Sequence, residues 1–274
     1  GRRELVHPAA RIHRGDVRSR AATALVARLR PAIVVHAAAQ ASVPRSLAEP
    51  LHDAAVNVLG SLRLLEASAR HRVGVFVYIS TGGAAYGDTA PVPTREESPL
   101  KPMSPYGVSK VSAEHYVACF SGLAGMRAVT LRLANVYGPR QNAKGEAGVV
   151  AIFATRMLRG EPCVINGDGR QTRDFVYVGD VAEAVRCAAE DRHAAGAVNI
   201  GTGRQTTINA LYRRVAGAVG VRRPARHGPA RSGEQRRSAL APDRARRLIG
   251  WRPVTPIDVG VRLTVEYFRR GRAR

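Results

Sequence analysis

Val75-Phe76-Val77-Tyr78-Ile79-Ser80 is a continuous apolar run that closes on Thr81, Gly82 and Gly83. A short unbroken apolar stretch that ends in hydroxyls and glycines fits a strand covered on both faces. The pattern extends in both directions. Ile33-Val34-Val35-His36 reads as a short buried strand, and Arg127 to Leu133 as a later one. Between the first two strands, residues 47–70 carry helical spacing, with Val56, Leu59, Leu62, Leu65 and Ala69 on one face. A second helix is expected from near Pro105 to about Ser121, capped by Ser104 with Pro105 in its first turn. This alternation implies an α/β fold built on a doubly wound parallel sheet.

After Gly138 the texture changes. Pro, Gly and Arg become frequent, and the strand signals shorten to Cys163-Val164-Ile165 and Phe175-Val176-Tyr177. Helical spacing returns at 180–190 and 207–219, while 221–237 is basic and loop-like. The expected organisation is a nucleotide-binding domain over 1–138 plus about 174–205. A smaller lobe, from about 139–173 and 206–274, interleaves with its end.

The chain has 274 residues, 45% of them apolar, which is enough for one large domain or one and a half. No stretch approaches the roughly 18–20 apolar residues that span a bilayer, and the first residues carry no apolar run like that of a signal peptide. Cys119, Cys163 and Cys187 are widely spaced without a CxxC, and they read as reduced core thiols of a cytoplasmic protein. The formal charge of +22 is almost all arginine, since lysine occurs only at 101, 110 and 144. Aromatic residues make up 5%, too few to form a stacking platform for bases, so no nucleic-acid partner is expected. A few of these arginines suit a phosphorylated small molecule.

Chemistry concentrates at Tyr106-Gly107-Val108-Ser109-Lys110. Positions i and i+4 of a helix share a face, so Lys110 would lie beside Tyr106. An ammonium there would lower the phenol from its ordinary value of about 10 and make it an acid or base near neutral pH. In a parallel sheet, ligands lie beyond the carboxyl ends of the strands. That places Thr81 where it could hydrogen-bond a substrate hydroxyl near Tyr106.

The combined stretches resemble the extended short-chain dehydrogenase/reductases, in their NAD-dependent epimerase/dehydratase branch. They are Gly15 to Arg18, Val35 to Gln40, Asn57 to Ser61, Ser80 to Gly87, Ser104 to Lys110, Leu131 to Arg140, Gly167 to Val176 and Asn199-Ile200-Gly201. The resemblance covers essentially the whole chain and implies a Rossmann-type fold, NAD as cofactor and a nucleotide-sugar substrate. It also implies a homodimer formed through the helix bearing Tyr106 and the helix at 47–70. No metal is implied.

Roles follow from the same resemblance. Asp16 and Val17 would meet the adenine. Ala37, Ala38, Ala39 and Gln40 would lie along the cofactor, and Asn57 would reach its region. Asn135, Arg173 and Arg231 would contact the nucleotide diphosphate or sugar, with Glu234 in the late substrate motif. Tyr106 would take the proton of the sugar's C4 hydroxyl as a hydride leaves for NAD, while Thr81 bonds that hydroxyl. Lys110 would hold the phenolate and the nicotinamide ribose.

Dehydratases of the family carry an Asp-Glu pair after the threonine. Gly82 and Gly83 stand there instead, which favours C4 epimerisation of a UDP-hexose over 4,6-dehydration. The family's glycine-rich phosphate loop is not among these residues, and about 35–40 residues of a βαβ unit are expected to precede Gly1. Without that portion of the sheet, the alternative is a non-catalytic remnant that binds nucleotide sugars, with very weak NAD binding.

Overall fold

The computed structural model describes residues 3–88, 91–143, 148–230 and 235–271. Its central element is a parallel sheet, formed by β1 (Ile33–His36), β2 (Val75–Thr81), β3 (Arg127–Leu133) and, later in the chain, Gly196–Ile200. The strands lie in that spatial order. β2 and β3 pair in register from Val75 opposite Arg127 to Thr81 opposite Leu133. β2 begins where the apolar run begins and extends one residue further, to the hydroxyl of Thr81.

The strand period of two divides β2 between two cores. Phe76 and Tyr78 pack with Leu65, Ala113 and Val117 on one face. Val77 packs with Val129, Leu131, Val181 and Ala184 on the other. The first face is covered by α4 (Gly60–Arg70) and α6 (Pro105–Ala124), the second by α8 (Val178–Glu190). Ahead of them in the chain come α1 (Arg20–Leu29), α2 (Val43–Ala48) and α3 (Pro50–Ala54), and α5 (Gly82–Ala85) follows β2 directly. α6 starts as expected, with the Ser104 hydroxyl accepting from Gly107 N–H at 3.2 Å and Pro105 in the first turn.

A second apolar cluster lies in the later part of the chain, among Tyr137, Phe153, Ile165, Phe175, Leu211 and Val265. It is built from β4 (Asn135–Tyr137), α7 (Val149–Leu158), β5 (Val164–Asn166) and β7 (Phe175–Tyr177), with the two-residue strand β6 (Thr172–Arg173) between the last two. β8 is Gly196–Ile200, and β9 (Thr206–Thr207) pairs with β6. α9 (Ile208–Val219) and α11 (Ile257–Arg270) close the cluster, and α10 (Asp243–Ile249) packs against β8. The segment expected as loop at 221–237 contributes β10 (Arg226–Gly228), which pairs in parallel with β5.

Three expectations need correction. β1 is not buried: it lies at the sheet edge, with Ile33 42% and Val35 45% exposed. Apolarity alone does not distinguish an edge strand from a central one. The helical spacing at 47–70 is real, but its interior face differs. Of the five apolar residues assigned to it only Leu65 is buried, while Leu59 is 55% exposed. The interior positions belong to Asp53, Asn57, Gly60 and Ser61, because this helical region packs a polar network against α6. A π-helical turn at Ala55–Leu59 connects α3 to α4 and carries Asn57 in its middle. Of the three cysteines only Cys163 is a core thiol. Cys119 faces outward on α6 and Cys187 is half-buried.

Candidate active site

Thr81 ends β2 and caps α5, its Oγ1 accepting from Ala84 N–H at 3.2 Å. The same hydroxyl lies close enough to Tyr106 on α6 to favour its phenolate. Close approach of α6 to α5 depends on Gly107, where a methyl group would stand 2.6 Å from the Ala84 carbonyl oxygen. Lys110 follows one helical turn after Tyr106 and is buried, with its Nζ 4.1 Å from the centre of the Tyr78 ring. The structure thus brings Thr81, Tyr106 and Lys110 together at the carboxyl end of the sheet.

The electrostatics differ from the sequence expectation. Burial pushes the Tyr106 phenol up to about 12, and the nearby Thr81 hydroxyl only partly offsets this. Burial also drives Lys110 down to about 7, against the carboxylates of Glu114 and Asp53, which favour its charge. The expected lowering of Tyr106 by Lys110 is not found: burial dominates the phenol, Asp53 adds to it, and Lys110 is not among the groups that shift it. His36 lies below the same group. Burial first, and Lys110 second, hold it at about 3, so it stays neutral. Its Nε2 and the Ser61 hydroxyl oxygen lie 2.8 Å apart, and that hydroxyl donates to the Asn57 carbonyl at 2.6 Å.

Asn57 organises the strand-end segment. Gln40 N–H donates to its Oδ1 at 2.9 Å, and its Nδ2 donates to the Gln40 carbonyl at 3.0 Å. The same Nδ2 reaches Ser109 Oγ at 3.0 Å, which ties the segment to α6. Ala37, Ala38 and Ala39 are exposed just before this anchor. This open run of one-carbon side chains leaves the backbone accessible for a cofactor to lie against. Asp16 is exposed and engaged by Arg18 at 2.7 Å, a contact that holds its carboxyl at about 2. Val17 packs against Gly60, where an added methyl group would lie 2.7 Å from Val17 Cγ1.

Asn135 and Arg173 meet in a cavity of about 410 Å³ between the later elements. Gln171, Phe175 and Arg156 help to line it, and no carboxylate does among the described residues, so this lining favours an anion. Asn135 connects this cavity to the hydroxyl end of β2, since a methyl group at Gly83 would meet only Asn135 Oδ1, at 4.0 Å. Arg231 and Glu234 lie outside the described residues.

Buried charges lie behind the site. Arg132 donates to Glu114 Oε2 through Nε at 2.9 Å and NH2 at 2.8 Å, with both side chains under 10% exposed. Ser80, adjacent to Thr81, donates to the other Glu114 oxygen, and Arg132 also reaches Tyr86 OH at 2.8 Å. Tyr86 OH in turn donates to Asn199 Oδ1 at 2.9 Å. Glu114 is four residues after Lys110, so the i+4 step from Tyr106 to Lys110, taken once more, would have found it.

A parallel sheet whose central strand ends in a hydroxyl beside a helical tyrosine, with a buried lysine one turn on, defines the Rossmann-type dehydrogenase/reductase class. The profile of the NAD dependent epimerase/dehydratase family matches residues 1–201. The chain belongs to that family. It is 42% identical to a UDP-glucose 4-epimerase from Mycolicibacterium smegmatis, over 90% of this chain and 79% of the relative. The crystal structure of a UDP-glucose 4-epimerase from Thermotoga maritima with UDP-glucose superposes with a TM-score of 0.95 at 43% identity, covering 99% of this chain and 88% of the other. The Thermus thermophilus UDP-glucose 4-epimerase in complex with NAD gives 0.92 at 42%, covering 98% and 88%.

Proposed function

We propose that the protein is an NAD-dependent epimerase that inverts C4 of a UDP-hexose. The observation that carries this reading is the placement of Thr81 beside Tyr106 with Lys110 one turn away and glycines, not carboxylates, next along the chain. Bound NAD would supply the reversible oxidant that turns the C4 alcohol into a ketone and back. Ala37, Ala38, Ala39 and Gln40 would lie along it, Lys110 would bind its ribose, and Asp16 and Val17 would stand near the adenine.

Tyr106 takes the C4 hydroxyl proton and later returns it. Its phenol at about 12 is a poor base by itself. The positive charge of a bound nicotinamide and the Lys110 ammonium both favour the phenolate. Thr81 donates to the same oxygen and orients it. Gly82 is filled by Leu240, whose Cδ1 would lie 2.4 Å from an added methyl group, and Gly83 opens toward Asn135. Glu114 is paired with Arg132 and Ser80. The carboxylates that elimination of water would require are thus absent or engaged, among the described residues, and the sugar is left to turn over and be reduced on its other face.

The cationic cavity suits the nucleoside diphosphate, held by Asn135 and Arg173, with Arg231 and Glu234 as further contacts. The domain assignment follows: residues 1–138 with about 174–205 for the cofactor, and 139–173 with 206–274 for the substrate. Leu47, Leu51 and Leu59 on one helical stretch and Val108, Tyr116 and Leu123 on α6 are exposed. This apolar surface supports a homodimer through these helices. No helix among the described residues is long and apolar enough to cross a membrane, and the protein is proposed to act in the cytoplasm.

The test is incubation with NAD and either UDP-glucose or UDP-galactose. Interconversion to one mixture from both sides is expected. A 6-deoxy-4-keto product, or no turnover of any UDP-sugar, would overturn the reading.

A further inference from the structure

Asp53 lies on α3, facing α6, and is 1% exposed. Its Oδ1 accepts from Gln40 Nε2 at 2.8 Å and from Asn57 Nδ2 at 3.1 Å. Its Oδ2 is buried without a hydrogen-bond partner among the described residues. An asparagine would serve both donors through one oxygen, so the hydrogen bonds do not call for a carboxylate. A bare buried carboxylate oxygen is costly unless an opposite charge offsets it.

The charges around Lys110 identify that counterpart. Tyr106 and Glu114 share its helix, and the Tyr78 ring on β2 lies 4.1 Å from its Nζ. Asp53 on α3 packs against the same helix, where Asn57 Nδ2 bridges Asp53 Oδ1 at 3.1 Å and Ser109 Oγ, next to Lys110, at 3.0 Å. Glu114 first, Asp53 second, favour the lysine charge, and His36 on β1 responds to it. His36 is neutral, and Tyr78 is held protonated by burial. Glu114 is taken by the Arg132 guanidinium in a two-pronged contact and by Ser80. Among the described residues of this group, Asp53 is the carboxylate that no cation already holds, and Lys110 the cation that no carboxylate holds.

We propose that Asp53 is the buried counter-charge of Lys110, a positioning residue that acts on the reaction through the lysine ammonium. The inference rests on Lys110 serving the active site as described above. It gives Asp53 two tasks: one oxygen fixes the Gln40 segment, and the other keeps the ammonium charged where burial works against it. Without that charge, Lys110 would lose its proton at lower pH and would no longer favour the Tyr106 phenolate.

The chain has three lysines, which makes a direct measurement practical. Lysine labelled with carbon-13 at Cε should give three signals, assigned with Lys101→Arg and Lys144→Arg. In Asp53→Asn the Lys110 titration is expected to move down by about one pH unit or more, as for loss of a nearby opposite charge. The alkaline limb of kcat for UDP-glucose should move with it, while KM for the sugar stays within about twofold. Asp53→Ser removes the same charge with a different shape and should behave alike, so a folding defect in one variant does not decide the matter. A Lys110 titration that superimposes on the wild type in the folded variants would overturn the proposal. The titration needs no turnover, so an inactive wild type with a shifted Lys110 would refute the epimerase reading and leave the counter-charge standing.

Discussion

Asn57 holds Gln40 by both ends of its backbone, accepting from the N–H at 2.9 Å and donating to the carbonyl at 3.0 Å. Both residues are buried, and they are 17 positions apart. A strand-end segment as small as Ala37-Ala38-Ala39 has little side chain with which to order itself. The asparagine supplies the missing constraint, and the π-helical turn carries it toward the segment.

Asn57→Ala should therefore cost more than one ordinary hydrogen bond, because it leaves buried groups of Gln40 without partners. A loss of about 2–3 kcal/mol is expected in urea unfolding. NAD affinity, measured by calorimetry, should fall as the Gln40 segment loosens. Wild-type stability in this variant would mean that the segment is ordered by something else.

Lys110 carries a pH signature in folding. Its value in the folded chain is about 7 against an ordinary 10.5. Between those values the unfolded chain binds a proton that the folded chain has shed, so this group's contribution to stability rises with pH. It declines again as pH falls toward 7. The difference in unfolding free energy between wild type and Lys110→Met should grow from pH 7.5 to pH 9 by about 2 kcal/mol, at roughly 1.4 kcal/mol per unit. Parallel curves would show that Lys110 titrates normally.

The parts of this site that could be read in the sequence are those written in local spacing. β2, β3 and α6 follow directly from a solid apolar run, a second such run and a Ser-Pro helix start. The Tyr106–Lys110 pair needs only one helical turn, and Thr81 only the rule that ligands gather at strand ends. What local pattern missed depends on distant partners. Ser80, Glu114, Arg132, Tyr86 and Asn199 form one buried chain across 34, 18, 46 and 113 residues of sequence. The apolar spacing at 47–70 pointed to the wrong interior face for the same reason. Asn57 and Ser61 are polar in isolation but buried once Gln40, Ser109 and His36 are placed against them. Periodicity records which residues are apolar, and this interface is satisfied by hydrogen bonds.

Tyr106→Phe removes the hydroxyl that is proposed to exchange the C4 proton while leaving the ring in place. Turnover of UDP-galactose should fall by about 10²–10⁴-fold, the usual range for a general acid–base group. Thr81→Val should give a smaller loss, since the valine keeps the shape but not the hydroxyl that favours the Tyr106 phenolate. Both should retain the wild-type fold by circular dichroism. A Tyr106→Phe enzyme with near-normal kcat would remove this residue from the chemistry.

Leu51 and Leu59 are 86% and 55% exposed on the stretch proposed to meet a second copy. A double change to glutamate should disrupt that association with little cost to the monomer, because neither side chain enters the core. Sedimentation velocity is expected to show a dimer for the wild type and a monomer for Leu51→Glu/Leu59→Glu. A wild-type monomer, or a dimer unaffected by the change, would place the contact elsewhere or remove it.

Gly82 and Gly83 separate packing from chemistry at the end of β2. A methyl group at Gly82 would collide with Leu240 Cδ1 at 2.4 Å and Cδ2 at 2.7 Å, whereas at Gly83 it would reach only Asn135 Oδ1 at 4.0 Å. Leu240 is fully buried, and its N–H is tied to Asp174 at 3.2 Å, so it has little freedom to withdraw. Gly82→Ala should destabilise the protein by about 1–3 kcal/mol, the usual cost of overpacking a core. Gly83→Ala should leave stability within about 0.5 kcal/mol of wild type, as expected for a side chain placed in open space. Its effect should appear in KM for the UDP-sugar, because the new methyl group enters the space between Thr81 and Asn135. Equal destabilisation by the two changes, measured in urea, would mean that Gly83 does not open toward the substrate side.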